Sequence, residues 1–177
     1  MMTTPVLVLP GYGDSGPEHW QSRWEAAGAN FRRVLQRDWL MPERAEWLAT
    51  LDREIAACSA PPVLVAHSLG CALVAHHVHA GGGGIKAALL VAPADVDMLA
   101  TALEAVQSFA PMPLVPLPFP SVVVASTDDP NVTPARAEQF ARAWGSRFVT
   151  LTRAGHVNTD SGFGAWDEGR RLLDELL

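Results

Sequence analysis

The chain has 177 residues, of which 49% are hydrophobic and 18% charged, and its formal net charge is −6. This composition predicts one globular domain covering residues 1–177 and argues against a disordered chain. An acidic balance without basic clusters argues against nucleic acid as a partner, and no segment approaches the ~20 apolar residues that span a membrane. No basic segment precedes the short apolar run at the N-terminus, so we expect a cytoplasmic protein.

Six short runs rich in Val and Leu predict β-strands. They cover residues 5–10, 31–37, 62–68, 86–93, 121–126 and 147–153. Several are nearly continuous apolar runs, which is typical of strands whose two faces are both covered by helices.

Segments with helical periodicity separate most of these strands, at 17–28, 42–58, after residue 68, around 96–109, at 133–145 and from 164 to the end. Strands that alternate with helices predict βαβ units, and therefore a three-layer α/β fold of about six mostly parallel strands. Residues 94–120 have room for one helix and a stretch whose five prolines forbid a helix, so we expect no separate cap domain.

Polar side chains follow several strands at the edge where the carboxyl ends of a parallel sheet meet. Ser68 lies in A-H-S-L-G, a variant of the G-x-S-x-G nucleophile elbow, although a serine in an ordinary strand-to-helix turn remains the alternative. His156 follows the last strand and is the candidate base. Asp128 and Asp129 both follow the fifth strand. We choose Asp129 as the acid because the turn at Pro130 directs it toward the histidine loop, and interpret Asp128 as a turn former.

An oxyanion hole needs two backbone N–H groups that point at the developing negative charge. Leu69 follows the candidate nucleophile at the start of a helix and supplies one N–H. Tyr12, in the P-G-Y-G loop after the first strand, is the natural second donor, although its side chain could instead only cover the pocket.

The remaining histidines and the two cysteines fit structural roles better. We expect His67 to point to the opposite side of the elbow from Ser68. His76, His77 and His79 are expected on a solvated helix face, because two imidazoles without a third ligand are weak grounds for a metal site, and we predict neither metal nor cofactor. Cys58 and Cys71 are expected as free buried thiols in helices.

Candidate substrate contacts come from the proline-rich stretch and from the first helix. Met112, Leu114, Leu117 and Phe119 form either one apolar wall of an open site or a cover for the sheet edge, and both interpretations stay open. His19 is a candidate for a substrate contact or a structural role, and Tyr12 for a contact at the pocket. The tryptophans are interpreted as packing residues, namely Trp20, Trp24, Trp39 and Trp166.

Several longer motifs resemble one family. They are P-G-Y-G-D-S-G-P-E-H-W-Q-S-R-W-E at 10–25, H-S-L-G-C at 67–71, L-P-F-P-S at 117–121, S-T-D-D-P at 126–130 and G-H-V-N at 155–158. The chain resembles the α/β-hydrolase superfamily, and within it the small serine-hydrolase family of bacterial YdeN-type proteins and human retinoblastoma-binding protein 9. The resemblance implies a triad of Ser68, Asp129 and His156 on a minimal α/β-hydrolase sheet that lacks the first two strands of the full fold. The L-x-C-x-E motif of the human relative is absent, so its binding partner is not carried over.

The sequence thus predicts a carboxylesterase-like serine hydrolase that cleaves small to medium acyl esters or thioesters through an acyl-enzyme, with a small-molecule ester as its partner. The alternative is a regulatory protein that keeps the hydrolase fold and acts by binding a macromolecule. The oligomeric state is left open.

Overall fold

A six-stranded parallel sheet forms the centre of the fold in the computed structural model, which describes residues 3–177. The strands are β1 Val6–Leu9, β2 Phe31–Arg33, β3 Val63–His67, β4 Ala87–Val91, β5 Ser121–Ser126 and β6 Arg147–Leu151. Their order across the sheet is β2-β1-β3-β4-β5-β6, and every neighbouring pair is parallel. The predicted parallel α/β fold is therefore confirmed.

Helices cover both faces of this sheet. They are α1 Trp20–Ala27, α2 Arg44–Ala56, α3 Leu69–His79, α4 Val96–Leu99, α5 Pro134–Trp144 and α6 Asp167–Asp174. Side chains of a strand alternate between faces, so Leu7 and Leu9 pack against the layer of α2, α3 and α5. Val6 and Val8 pack on the other face, against α1 and α6. The result is three layers, with the carboxyl ends of the strands at one common edge.

The segment between β4 and β5 differs from the single helix predicted at 96–109. Helix α4 ends at Leu99, and a separate 3₁₀ helix spans Glu104–Phe109. The hydroxyl of Thr101 donates to the Met98 carbonyl at 2.7 Å, and the Gln107 amide donates to the Ala100 carbonyl at 3.3 Å. Side-chain hydrogen bonds to nearby backbone carbonyls therefore accompany the break between the two helices.

Two histidines of α3 are buried, and the predicted solvated face is wrong for them. His76 Nε2 lies 2.6 Å from the carbonyl of Phe109, and His77 Nδ1 lies 2.8 Å from a carboxylate oxygen of Asp52 on α2. Helix α3 lies between the sheet and these neighbouring segments, so both faces are covered and only His79 reaches solvent.

Both cysteines are free, as predicted, but only Cys71 is buried. Cys58 is half-buried because it lies just after α2 ends. No helix among residues 3–177 is both long and apolar enough to cross a membrane.

Candidate active site

Ser68 occupies the sharp turn between β3 and α3. Its backbone has φ 55° and ψ −119°, a conformation that residues with a side chain rarely adopt. Its N–H donates to the carbonyl of Val91 on the neighbouring strand at 3.0 Å, which holds the turn in place. Strain of this kind persists where the surrounding structure enforces it, and it raises the side chain above the end of the sheet.

The glycine two residues after Ser68 is required by a close backbone contact. A Cβ on Gly70 would lie 2.3 Å from the carbonyl oxygen of Leu9, so the elbow helix starts directly against the end of β1. A Cβ on Gly11 would lie 2.9 Å from Cβ of Ser68. Ala66, which stands at the elbow position two residues before the serine, is fully buried within β3.

Ser68, His156 and Asp129 form one hydrogen-bonded chain. His156 Nε2 lies 2.8 Å from the Ser68 hydroxyl oxygen. His156 Nδ1 lies 2.9 Å and 3.0 Å from the two carboxylate oxygens of Asp129. Because a carboxylate only accepts, Nδ1 carries the proton and Nε2 is free to accept from the serine hydroxyl. The carboxylate of Asp129 is shielded from solvent, and it also accepts from the Asn131 N–H at 2.8 Å.

Within residues 3–177, Asp128 forms its hydrogen bonds with groups other than the His156 ring. Its carboxylate accepts from the Ser126 hydroxyl at 2.7 Å and from the Gly155 N–H at 2.8 Å. These two hydrogen bonds, of which the one from Ser126 is the stronger influence, lower the pKa of Asp128. The residue therefore ties the end of β5 to the loop that carries His156, which extends the turn-forming role predicted for it.

Two backbone N–H groups near Ser68 are available to a ligand. Leu69 is the first residue of α3, where a helix leaves its N–H groups without an intrahelical acceptor. Within residues 3–177, the Tyr12 N–H has no backbone acceptor, whereas its neighbour Gly13 donates to the Trp39 carbonyl at 2.9 Å.

Two cavities of different chemistry meet at Ser68. One is a polar cleft of about 200 Å³ and the other an apolar pocket of about 180 Å³, and Tyr12, Ser68 and His156 line both. The polar cleft is further lined by Gly11, Asp14, Gly16, His19, His67, Asn158, Thr159 and Asp160. The apolar pocket is further lined by Leu69, Ala94, Leu99, Leu103, Val106 and Asn131.

Known proteins resemble this chain in sequence and in fold. The family described as serine hydrolase matches residues 6–175. The chain belongs to the serine hydrolase family. A YdeN-like hydrolase from Pectobacterium atrosepticum is 34% identical, with a TM-score of 0.86 over 98% of this chain and 90% of that one.

Two more distant solved structures share the fold. The ydeN gene product of B. subtilis is 22% identical, with a TM-score of 0.78 over 98% of each chain. An esterase from Thermogutta terrifontis is 18% identical, with a TM-score of 0.69 over 97% of this chain and 80% of that one. No curated protein sequence matches the chain. The predicted membership of a YdeN-type α/β-hydrolase family is confirmed.

The H-W-Q motif of this serine hydrolase holds the loop that carries His156. The Trp20 indole N–H donates to the carbonyl of Val157 at 2.8 Å. His67 Nε2 lies 2.8 Å from the carbonyl of His156 itself. Since a carbonyl only accepts, His67 donates here through Nε2–H. Burial, followed by the neighbouring imidazoles of His156 and His19, lowers the pKa of His67 well below its ordinary value and keeps the ring neutral.

The position of His67 differs from the predicted one. Its ring does not turn away from the site but lies 4.8 Å from the His156 ring, centroid to centroid. Alternation along β3 places His67 on the same face as Val63 and Val65, and the histidine loop crosses this face. The alternation of side chains along β3 is the sequence signal from which the contact between His67 and His156 could have been predicted.

Gln21 and His19 also hold together segments that surround the site. Gln21 is fully buried, and its amide donates to the carbonyls of Leu9 and Val65 at 3.2 Å and 3.0 Å, which links the end of β1 to the middle of β3. His19 caps α1, with Nδ1 accepting from the Gln21 N–H at 3.2 Å. Burial, with the charges of Arg33 and His156 as weaker causes, lowers the pKa of His19 to about 4.

Only some of the residues predicted to contact the substrate lie at the site. Tyr12 and His19 line the polar cleft, but Met112, Leu114 and Phe119 line neither cavity. Met112 and Leu117 are buried in the core, Phe119 packs against it, and Leu114 is exposed. The Trp144 indole donates to the Pro113 carbonyl at 2.9 Å, so the proline-rich stretch is held against α5 instead of Ser68. This corrects the predicted apolar wall in favour of the sheet-covering alternative.

Proposed function

We propose that this protein hydrolyses carboxylic esters or thioesters of small to medium acyl groups, with Ser68 as nucleophile, His156 as general acid and base, and Asp129 as the group that orients His156. The observation that carries the proposal is the continuous hydrogen-bonded chain from the Ser68 hydroxyl through both nitrogens of His156 to the buried carboxylate of Asp129. A serine hydroxyl is a weak nucleophile at neutral pH, and this arrangement supplies the base that it needs.

The first half-reaction forms an acyl-enzyme. The Ser68 oxygen attacks the ester carbonyl carbon while His156 Nε2 takes the hydroxyl proton. The bond from this carbon to the leaving-group oxygen or sulfur then breaks, and Nε2–H returns the proton to the leaving group. In the second half-reaction, water attacks the acyl-enzyme, and His156 takes the water proton and delivers it to the departing Ser68 oxygen.

Fixed groups of the protein stabilise the charges that develop in these steps. Asp129 stabilises the imidazolium that forms on His156 without taking the proton, because its buried carboxylate accepts a hydrogen bond from Nδ1–H. The backbone N–H groups of Leu69 and Tyr12 are the proposed donors to the oxyanion. Loss of one such donor typically lowers kcat by about 10²–10³.

The test combines covalent labelling with turnover. We expect a fluorophosphonate to modify the purified protein at Ser68, and p-nitrophenyl butyrate to be hydrolysed with a burst of one equivalent of p-nitrophenol if deacylation is slow. Ser68→Ala should lose both properties, and Ser59→Ala, an exposed serine in the loop before β3, should keep both. A folded protein that neither labels at Ser68 nor hydrolyses any ester contradicts the proposal and favours the macromolecule-binding alternative.

A further inference from the structure

Ser68 lies between two cavities that differ in chemistry, and each substrate half can be assigned to one of them. Only Tyr12, Ser68 and His156 are shared by the two linings. An ester bound with its carbonyl carbon at Ser68 places its acyl chain in one cavity and its alcohol in the other. The lining of each cavity therefore selects one half of the substrate.

The apolar pocket presents hydrocarbon side chains beyond the elbow. Leu99, Leu103 and Val106 come from the segment between β4 and β5, and Leu69 comes from the elbow helix. The only polar side chain that this lining has beyond the shared residues is Asn131. A hydrocarbon chain leaves water on entering such a pocket, and each methylene that fits improves binding.

The polar cleft presents carboxylates and hydrogen-bonding groups. Asp14 and Asp160 line it, together with Asn158 and Thr159, and no lysine or arginine takes part in the lining. Asp14 forms an ion pair with Arg33 at 2.9 Å, whereas Asp160 is exposed and forms no ion pair within residues 3–177. This cleft disfavours an anionic group and accommodates a polar or cationic one.

The loop that carries His156 indicates which of the two cavities receives the leaving group. His156 must deliver its proton to the leaving-group oxygen, so this oxygen has to lie beside the imidazole. Residues 158–160 of the same loop line the polar cleft and not the apolar pocket. We propose that the apolar pocket binds a short acyl chain and the polar cleft binds a polar, non-anionic alcohol; this assignment rests on the proposed esterase function.

The pocket volume limits the acyl chain. A protein cavity of about 150 Å³ holds a benzene molecule, which has six carbon atoms. The apolar pocket, at about 180 Å³, therefore accommodates an acyl group of about the same size. The preferred substrates are then short-chain esters of polar alcohols, and long-chain lipids are excluded.

The first experiment varies only the acyl chain. We expect kcat/KM for p-nitrophenyl esters to rise from acetate to about hexanoate and to fall at least about tenfold by decanoate. Leu103→Trp fills the pocket at a half-buried position and should lower the hexanoate-to-acetate ratio of kcat/KM about tenfold, whereas Leu103→Ala should move the optimum to longer chains. Leu114→Ala removes an exposed leucine outside both cavities and should leave the profile unchanged.

The second experiment varies only the alcohol. Butyrylcholine and 3,3-dimethylbutyl butyrate have nearly the same shape, but only the choline ester carries a positive charge. We expect a severalfold higher kcat/KM for the choline ester at low salt. Asp160→Asn should reduce this preference about threefold, the scale expected of an exposed charge, and the exposed control Glu168→Gln should not.

The outcomes separate this inference from the proposed function. Absence of Ser68-dependent hydrolysis of every ester would overturn the esterase function itself. Ser68-dependent hydrolysis with a decanoate optimum, or with no response to Leu103→Trp, would overturn the acyl assignment alone. A preference for the uncharged butyrate ester would overturn the leaving-group assignment alone.

Discussion

The indole N–H of Trp20 donates a 2.8 Å hydrogen bond to the carbonyl of Val157, the residue that follows His156. Helix α1 therefore holds the loop of the proposed general base directly. Trp24, one turn further along the same helix, donates a comparable hydrogen bond to the Ala165 carbonyl at 3.1 Å, well past the site. The two tryptophans offer a matched pair for testing which hydrogen bond supports catalysis.

Trp20→Phe should lower kcat for p-nitrophenyl butyrate about tenfold, with a smaller change in KM. The substitution keeps an aromatic ring but leaves the Val157 carbonyl without its donor, which allows His156 to leave the geometry that transfers the proton. The cost in stability should be about 1–2 kcal/mol, and urea denaturation measures it separately.

Trp24→Phe is the control, with a similar loss of stability and kcat within about twofold of the unmodified protein. Equal losses of kcat in both variants would mean that the Trp20 hydrogen bond only stabilises the fold.

The adjacent aspartates should differ sharply in their effect on catalysis. Asp129→Asn places an amide beside His156 Nδ1, favours the wrong tautomer, and should lower kcat about 10³–10⁴-fold. Asp128→Asn keeps an oxygen that can accept from Ser126 and Gly155, and should lower kcat less than about tenfold. Steady-state kinetics on the two variants tests this order, and a larger loss for Asp128→Asn would reverse the assignment of the acid.

Stability should fall as the pH drops from about 6.5 to about 4, in part because of His19. Its pKa in the folded chain, about 4, lies below the ordinary value of 6.5, so the unfolded chain binds the proton first. Above pH 6.5 the titration of His19 therefore costs no stability. Acidification to about pH 4 lowers the free energy of unfolding by roughly 3 kcal/mol through this residue. Burial lowers the pKa of His67 as well, so that residue acts in the same direction.

Urea denaturation between pH 7.5 and 4 measures this dependence. His19→Asn keeps a side-chain acceptor for the helix cap but removes the titrating ring, so its stability should depend less on pH than that of the unmodified protein. Parallel pH profiles for the two proteins would show that His19 does not contribute.

Gly70→Ala should destabilise the fold by more than about 3 kcal/mol or prevent it from forming. The new Cβ would lie 2.3 Å from the Leu9 carbonyl oxygen, which belongs to a central strand and cannot move aside. Gly16→Ala is the control, because a Cβ there meets no atom within 4 Å. Thermal unfolding compares the two, and similar melting temperatures would contradict the close contact.

The local pattern of the chain was enough to predict the sheet and the residues at its edge. Uninterrupted Val and Leu runs indicate strands buried on both faces, and the chain order of Ser68, Asp129 and His156 follows from their places after strands 3, 5 and 6. Such signals lie within a few residues, and parallel topology then brings the strand ends together.

Other features depended on contacts between distant segments. The sequence predicts a solvated face for His76 and His77. This prediction is wrong because both are buried against Phe109 and Asp52, which are distant from them along the chain. For Met112, Leu114 and Phe119 the sequence leaves a pocket wall and a sheet cover as alternatives, and the hydrogen bond from Trp144 to Pro113 holds their segment against α5. No spacing within the proline-rich stretch carries this information.

By itself, the sequence determined the parallel α/β architecture, the serine hydrolase family and the order of the candidate catalytic residues, because these follow from periodicity and short motifs. Only the tertiary structure decided the direction of His67, the support of the histidine loop by Trp20, and the division of the site into an apolar pocket and a polar cleft. The physical reason is that each of these features arises where side chains from several separate segments pack against one another, and their relative positions exist only in the folded chain.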